Sequence, residues 1–285
     1  PAEARDFVGT GDLKVFYPIP KSDSHKGDNG VVLVVGGGPY TGAPALAGMA
    51  AYRTGADIVY LAVPERIWQV VAGYSSNFIV NSLSGDAIRP EHVSEIVALS
   101  KKCTAVVLGN GAGSDELTIK ALAECIKKIN KPMVVDAEGI TALSKMKKSE
   151  FAGKTIVATP HAGEFERLTG EKLPADTAAR AKIVKKWAEK LGIVLLVKGP
   201  VDVISDGKRI KLNKVHNAGM TVGGTGDVLA GITGELLAKC VEPFYAGALA
   251  AYLNGSAGNL AFAEKSYSLL ATDIIEKLPE ALMKN

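Results

Sequence analysis

Short apolar runs recur along this chain at a regular interval. Residues 31–35 read Val-Val-Leu-Val-Val without a polar residue, the mark of a strand covered on both faces. Similar runs stand at 58–63, 78–81, 105–108, 133–135, 156–158 and 193–197. Helical spacing of apolar residues fills most intervals between them, as at 43–54, 117–129 and 178–191. Strand and helix in alternation predict an α/β fold, a mostly parallel sheet with helices on both faces. The rhythm breaks once, at 201–212, where two short strand patterns flank Asp206-Gly207, a turn dipeptide of β-hairpins. Beyond Asp227 the pattern is helical to the end, and residues 246–261 are rich in Ala and Gly, suited to close packing. The first thirty residues carry Gly, Pro, Asp and Ser with little periodicity. Residues 1–22 therefore read as a lead-in or linker and 23–285 as a single domain, since no internal repeat divides it.

Composition narrows the function classes. With 47% hydrophobic and 22% charged residues, the 285-residue chain has the make-up of a soluble protein with a large core. The net charge of +3 is small, the Lys and Arg residues are scattered, and aromatics do not interleave with them, which argues against a nucleic-acid partner. No apolar run reaches transmembrane length and no signal peptide is visible, so the expectation is a cytoplasmic protein without a membrane partner. Cys103, Cys125 and Cys240 are far apart and lack a CxxC pair, so they read as buried, reduced thiols. His92 falls in a helical surface pattern and is expected to be uninvolved.

Ligands of open α/β sheets bind beyond the carboxyl ends of the strands. The residues following the strand runs are Gly36–Gly42, Gly109-Asn-Gly-Ala-Gly113, Asp136-Ala-Glu-Gly139, Thr159-Pro-His-Ala-Gly-Glu164 and Lys198-Gly-Pro200. Loops alone account for the glycines, but Asp136, His161, Glu164 and Lys198 at such positions point to a site. The densest cluster is Asn217-Ala-Gly-Met-Thr-Val-Gly-Gly-Thr-Gly-Asp227, with an apolar helical pattern directly behind it. A glycine loop opening onto a helix N-terminus offers backbone N–H groups and a favourable dipole to a phosphate. Asp227 in the first helical turn then has two readings: a simple charge preference for that end of the dipole, or a general base beside a bound phosphate. His161 likewise reads either as a helix-start histidine or as a ligand contact, and Lys198 either as a phosphate holder or as a side chain reaching out to solvent. A metal site of His or Cys ligands is not indicated by any spacing, and the metal ligands stay unknown. The dinucleotide fingerprint G-x-G-x-x-G fails twice, because Thr41 and Ser114 stand where the third glycine belongs. The P-loop fails because Thr225-Gly226 replaces its Lys-Ser/Thr.

Taken together and in order, His25-Lys-Gly27, Gly42-Ala43, Gly109–Gly113, Asp136-Ala137, Thr159–Glu164, Val197-Lys-Gly199 and Asn217–Asp227 resemble the ADP/ATP-dependent NAD(P)H-hydrate dehydratases, a branch of the ribokinase-like kinases. The resemblance runs from about Ser24 to the C-terminus. It implies a ribokinase-like fold and repair of damaged nicotinamide cofactor. In this family a nucleotide phosphorylates the ring hydroxyl of NADH or NADPH hydrate, and phosphate elimination restores the double bond. Carried over position by position, Ala43, Gly111, His161 and Asp227 would contact the hydrate, with Asp227 as the base. Lys198, Gly199, Pro200, Val201 and Asp202, together with Gly223, Gly224, Thr225 and Gly226, would hold the adenine nucleotide. Asn217, Glu164 and Asp136 would support the site. ADP, or else ATP, would be the donor, accompanied by Mg²⁺. Small departures are Ala162, where the family often has Pro, and Glu138, where it often has Asp. The lead-in resembles a connector following a hydrate epimerase domain, and family members commonly form homotetramers. The expectation is therefore part of a bifunctional repair protein. A small-molecule kinase acting on a vitamin precursor or sugar alcohol, or a non-catalytic nucleotide-binding module, would share the glycine loop.

Overall fold

In the computed structural model, which describes residues 6–283, nine strands form one sheet in the order β3-β2-β1-β4-β5-β6-β7-β8-β9. The parallel part comprises β1 (Val31–Val35), β2 (Ile58–Pro64), β3 (Ile79–Leu83), β4 (Ala105–Leu108), β5 (Met133–Val135), β6 (Ile156–Ala158) and β7 (Val194–Val197). The hairpin strands β8 (Asp202–Ser205) and β9 (Ile210–Asn213) extend one edge in antiparallel register. The expected α/β architecture is present, with β3 running slightly later in the chain than its apolar run.

Every residue of β1, β4, β5, β6 and β7 is buried, as an all-apolar run requires. Successive side chains alternate between two cores. Val32 and Val34 enter the one closed by α2 (Gly42–Thr54), α10 (Thr225–Ala238), α11 (Pro243–Lys265) and α12 (Ala271–Met283). Val31, Leu33 and Val35 enter the other, closed mainly by α4 (Val93–Ser100), α5 (Glu116–Lys128), α6 (Glu138–Ser144), α8 (Ala162–Thr169) and α9 (Thr177–Leu191). α3 (Glu65–Gly73) and the one-turn α7 (Lys148–Phe151) complete the outer layers. α10 is the central helix. From Val228 to Ala238 all its residues are buried, because the sheet lies on one side and α2, α11 and α12 on the others.

Three expectations are corrected. The lead-in contains a helix, α1 (Thr10–Phe16), and packs on the domain: Val8 N–H donates to Leu212 O at 3.0 Å, Leu13 is buried, and Phe16 stacks on Tyr245. Two turns anchored by so few apolar residues leave little periodicity to read. His92 is buried, not on the surface; its Nδ1 accepts the Arg89 N–H at 3.0 Å and its Nε2 lies 3.0 Å from Ser84 Oγ. Cys103 and Cys125 are buried, but Cys240 is exposed just beyond the end of α10, at a backbone φ of 62°.

Candidate active site

Because β1 and β4 to β7 are parallel, the first residue after each falls along one edge of the sheet, and the start of α10 reaches the same edge. The polar residues there form one network. Asp136, after β5, is buried; its Oδ1 accepts from Thr159 Oγ1 at 2.7 Å and from Lys198 Nζ at 3.1 Å. Asn110, after β4, is fully buried and its amide donates to two carboxylates, Asp136 Oδ2 at 3.0 Å and Asp227 Oδ1 at 2.7 Å. Lys198, after β7, also lies 3.8 Å from Glu164 Oε2. Burial disfavours the Lys198 charge, yet Asp136 and Glu164 more than offset this and hold its pKa above the ordinary value. The lysine thus stays a cation within the site rather than reaching freely into solvent.

His161 is the N-cap of α8. Its Nδ1 accepts the N–H groups of Gly163 and Glu164 at 3.0 and 3.3 Å, and its own N–H donates to Glu164 Oε2 at 2.9 Å. These are the bonds of a helix-start histidine. With Nδ1 an acceptor, the remaining ring nitrogen, 3.6 Å from Glu164 Oε2, carries the proton.

Asp227 lies in the first turn of α10. Burial pushes its carboxyl up to about 7, with the Asn110 hydrogen bond opposing the shift and the nearby Asp136 adding to it. A carboxylate poised near neutrality, beside a helix N-terminus, is suited to accept a proton from a hydroxyl. The N-cap of α10 is Gly224 at φ +96°, a left-handed conformation that favours glycine, and no side chain caps the helix. A Cβ added at Gly223 would meet nothing within 4 Å, so the loop is open to a ligand on that side.

Two cavities meet at this helix end. One, of about 650 Å³, is lined by His161, Lys198, Gly199, Asp202, Thr225 and Gly226, with Pro200 and Asn217 at its sides. The other, of about 530 Å³, is lined by Tyr40, Ala43, Gly111, Glu138 and Asp227. Consecutive residues of one turn, Gly226 and Asp227, thus face different cavities. Of the residues expected to touch a hydrate, Ala43, Gly111 and Asp227 come together, whereas His161 stands with the residues expected to hold a nucleotide. Val201 joins Pro200 to Asp202 without lining the cavity. Asp202 accepts the Gly199 N–H and the Asn213 amide, both at 3.0 Å, and burial raises its pKa. Asn217 donates to Gly258 O and Asn259 Oδ1, while its own Oδ1 is buried without a hydrogen-bond partner among the described residues. His25-Lys26-Gly27 lies at the opposite end of the sheet, where the Gly27 N–H donates to Asp57 Oδ2 at 2.8 Å, just ahead of β2.

The sequence reading passed over Asn110, Thr159 and Glu138 as site residues. All three follow buried strands, Asn110 between two glycines, and the strand-end rule that singles out Asp136 also covers them. Among the described residues no group of three His, Cys, Asp or Glu side chains is set to hold a metal. Asp136 and Glu164 nevertheless suit Mg²⁺, which needs only one or two carboxylates when phosphate oxygens and water complete its shell.

Comparison with known proteins places the chain among relatives of one family. The chain is 43% identical over 290 residues to the bifunctional NAD(P)H-hydrate repair enzyme Nnr of Hyperthermus butylicus, covering 99% of this chain and 54% of that protein. It thus spans about half the length of the bifunctional relatives. It is 38% identical over 282 residues to the ADP-dependent (S)-NAD(P)H-hydrate dehydratase of Cenarchaeum symbiosum, covering 98% of this chain and 97% of the other. The crystal structure of the ADP/ATP-dependent NAD(P)H-hydrate dehydratase of Bacillus subtilis, co-crystallised with ATP and Mg²⁺, matches with a TM-score of 0.85 at 26% identity over 99% of both chains. Hydroxyethylthiazole kinase of Pyrococcus horikoshii, at a TM-score of 0.64 and 19% identity over 96% of this chain and 92% of that one, shares the ribokinase-like fold. A family model for NAD(P)H-hydrate dehydratase matches residues 31–280. That span takes in the whole sheet and both cavities, and the chain belongs to the NAD(P)H-hydrate dehydratase family.

Proposed function

We propose that the protein returns NADH or NADPH hydrate to the reduced cofactor by ADP-dependent dehydration. The observation that carries the reading is the pair Gly226 and Asp227, neighbours in one helical turn that open onto two cavities. The nucleotide occupies the first, its terminal phosphate against Lys198 and the uncapped start of α10. The hydrate occupies the second, its ring hydroxyl at Asp227. Asp227 removes the hydroxyl proton as the oxygen attacks phosphorus, and the Gly223–Gly226 amides with Lys198 stabilise the charge on the transferred group. Asp136 and Glu164 would hold Mg²⁺, which when bound would add to the neutralisation of the phosphates. Loss of phosphate from the ring then restores the double bond.

Relatives of this length named as ADP-dependent support ADP as donor. The bifunctional relatives support a working partnership with an NAD(P)H-hydrate epimerase, fused or separate. A homotetramer is the assembly we expect by likeness to the family. Among the described residues no helix is long and apolar enough to cross a membrane.

The reading is tested by mixing the protein with NADH hydrate, Mg²⁺ and ADP or ATP, and following the absorbance of the reduced nicotinamide. Recovery of NADH matched by release of inorganic phosphate, faster with ADP, is expected. A stable phosphoester with no recovery of NADH would instead identify a small-molecule kinase.

A further inference from the structure

Repair of the hydrate removes two protons, whereas the mechanism above uses one base. Asp227 takes the first, from the hydroxyl oxygen. The second leaves the ring carbon next to the phosphorylated one, because the restored double bond is built from the electron pair of that C–H bond. A base for it has to stand in the same cavity as Asp227.

Glu138 stands there. It is the first residue of α6 and lines the cavity of about 530 Å³ together with Ala43, Gly111 and Asp227. Its Oε2 is buried and has no hydrogen-bond partner among the described residues. The neighbouring Asp136 differs, since both its oxygens accept hydrogen bonds. A buried carboxylate oxygen left unpaired is costly, and the preference of a helix start for an acid does not by itself call for burying that oxygen. The backbone adds a second observation. Ala137, just before it, sits at φ +48°, ψ −120°, in a region that non-glycine residues rarely occupy. This turn separates two carboxylates: Asp136 is bonded to Lys198 and Asn110, and Glu138 lines the second cavity.

We propose that Glu138 is the second base of the reaction and removes the proton from the ring carbon adjacent to the phosphorylated carbon. The inference rests on the dehydratase reading. In the first step the hydroxyl oxygen bonds to the terminal phosphorus of ADP, the bond to the AMP oxygen breaks, and the hydroxyl proton passes to Asp227. In the second, the C–O bond breaks and phosphate leaves with its electron pair. The adjacent C–H bond supplies the pair of the new C=C bond, and its proton passes to the Glu138 carboxylate.

The test compares the wild-type chain with Glu138→Gln and Glu138→Asp, using NADH hydrate, ADP and Mg²⁺. AMP formation is read by rapid quench and ring recovery by absorbance. Glu138→Gln is expected to form AMP in the first turnover within about threefold of wild type. Ring recovery should slow by about 10²-fold, so that phosphorylated hydrate accumulates. Glu138→Asp should keep AMP formation and recover the ring at an intermediate rate. Hydrate deuterated at the adjacent carbon should then show a larger isotope effect in that variant than in wild type. Ring recovery at the wild-type rate in Glu138→Gln, or in Glu138→Asp where the first variant does not fold, overturns the proposal. So does an equal fall in AMP formation and ring recovery, which marks a structural or binding role. A wild-type chain that leaves the hydrate untouched overturns the dehydratase reading itself, and this inference with it.

Discussion

Asp227 shows how one residue is tuned by its neighbours. An exposed aspartate would be ionised at neutral pH but would be a weak base. Here burial moves the carboxyl from its ordinary 3.8 to about 7. Asn110 fixes its orientation without neutralising it. The rate of hydroxyl phosphorylation should therefore rise as pH increases through about 7, as the carboxylate form is populated. Asp227→Asn should bind ADP within a few-fold of wild type and lose about 10²- to 10⁴-fold in kcat. Turnover equal to wild type would remove Asp227 from the role of base. The same shift affects stability in a defined direction. The folded state holds this proton more tightly than the unfolded one, so the contribution is present below pH 4 and is lost as pH rises through about 7. At pH 8 the asparagine variant should accordingly be more stable than wild type, by roughly 1–2 kcal/mol after allowing for solvent contact, as measured by urea denaturation. At pH 3 the difference should vanish.

At the level of elements, the site depends on how closely α10 and α2 approach, because α10 carries Asp227 and α2 carries Ala43. A Cβ at Gly231 would stand 2.1 Å from the backbone oxygen of Ala47, and a backbone atom cannot rotate away. Gly231→Ala should push the helices apart and destabilise the fold by about 1–3 kcal/mol. It should also lower kcat by shifting Asp227 relative to the hydrate cavity. An alanine variant with unchanged denaturation midpoint and unchanged kcat would show that this contact does not set the geometry. The elements themselves were largely legible in the chain. Strands buried on both faces write themselves as unbroken apolar runs, and the glycine loop ahead of Asp227 marks the start of α10. The contacts between elements were less legible. Asn110 bridges Asp136 and Asp227 from 26 and 117 residues away, and no local pattern encodes such a bond. The same holds for His161, whose cavity is decided by the side of α10 on which β6 ends. α1 escaped notice because its stability comes from β9 and α11, not from its own sequence.

At the scale of the whole molecule, the N-terminal segment fastens the antiparallel edge beside the cavity lined by Lys198, Gly199 and Asp202. Phe7 bridges to Leu212, Lys211 pairs with Asp12 at 3.1 Å, and Phe16 stacks on Tyr245 of α11. β9 in turn supplies Asn213, whose amide donates both to Asp202, which lines that cavity, and to Ala251 O of α11. A chain of contacts thus runs from the first helix, through the edge strands, to the residue next to Gly199. Removing residues 1–17 would uncover apolar surface once covered by Val8, Leu13 and Phe16. It would also leave β9 as an unprotected edge. Burial of these side chains is worth about 1.5–3 kcal/mol each, offset by the entropy of ordering the segment, so the net loss should be about 2–4 kcal/mol. The truncated chain should unfold at lower temperature and bind ADP more weakly, because the support behind Asp202 is loosened. Saturating ADP with Mg²⁺ should recover much of the lost midpoint, since a ligand at about a hundred times its Kd adds about 2.7 kcal/mol. The cavity proposed for the hydrate, built on α2, α6 and the loop after β4, lies outside this chain of contacts. The KM for hydrate at saturating ADP should therefore stay near the wild-type value. An unchanged melting temperature would mean that the segment rests on the fold without supporting it. A rise in hydrate KM matching the loss of ADP affinity would mean that the two cavities respond to this edge as one unit.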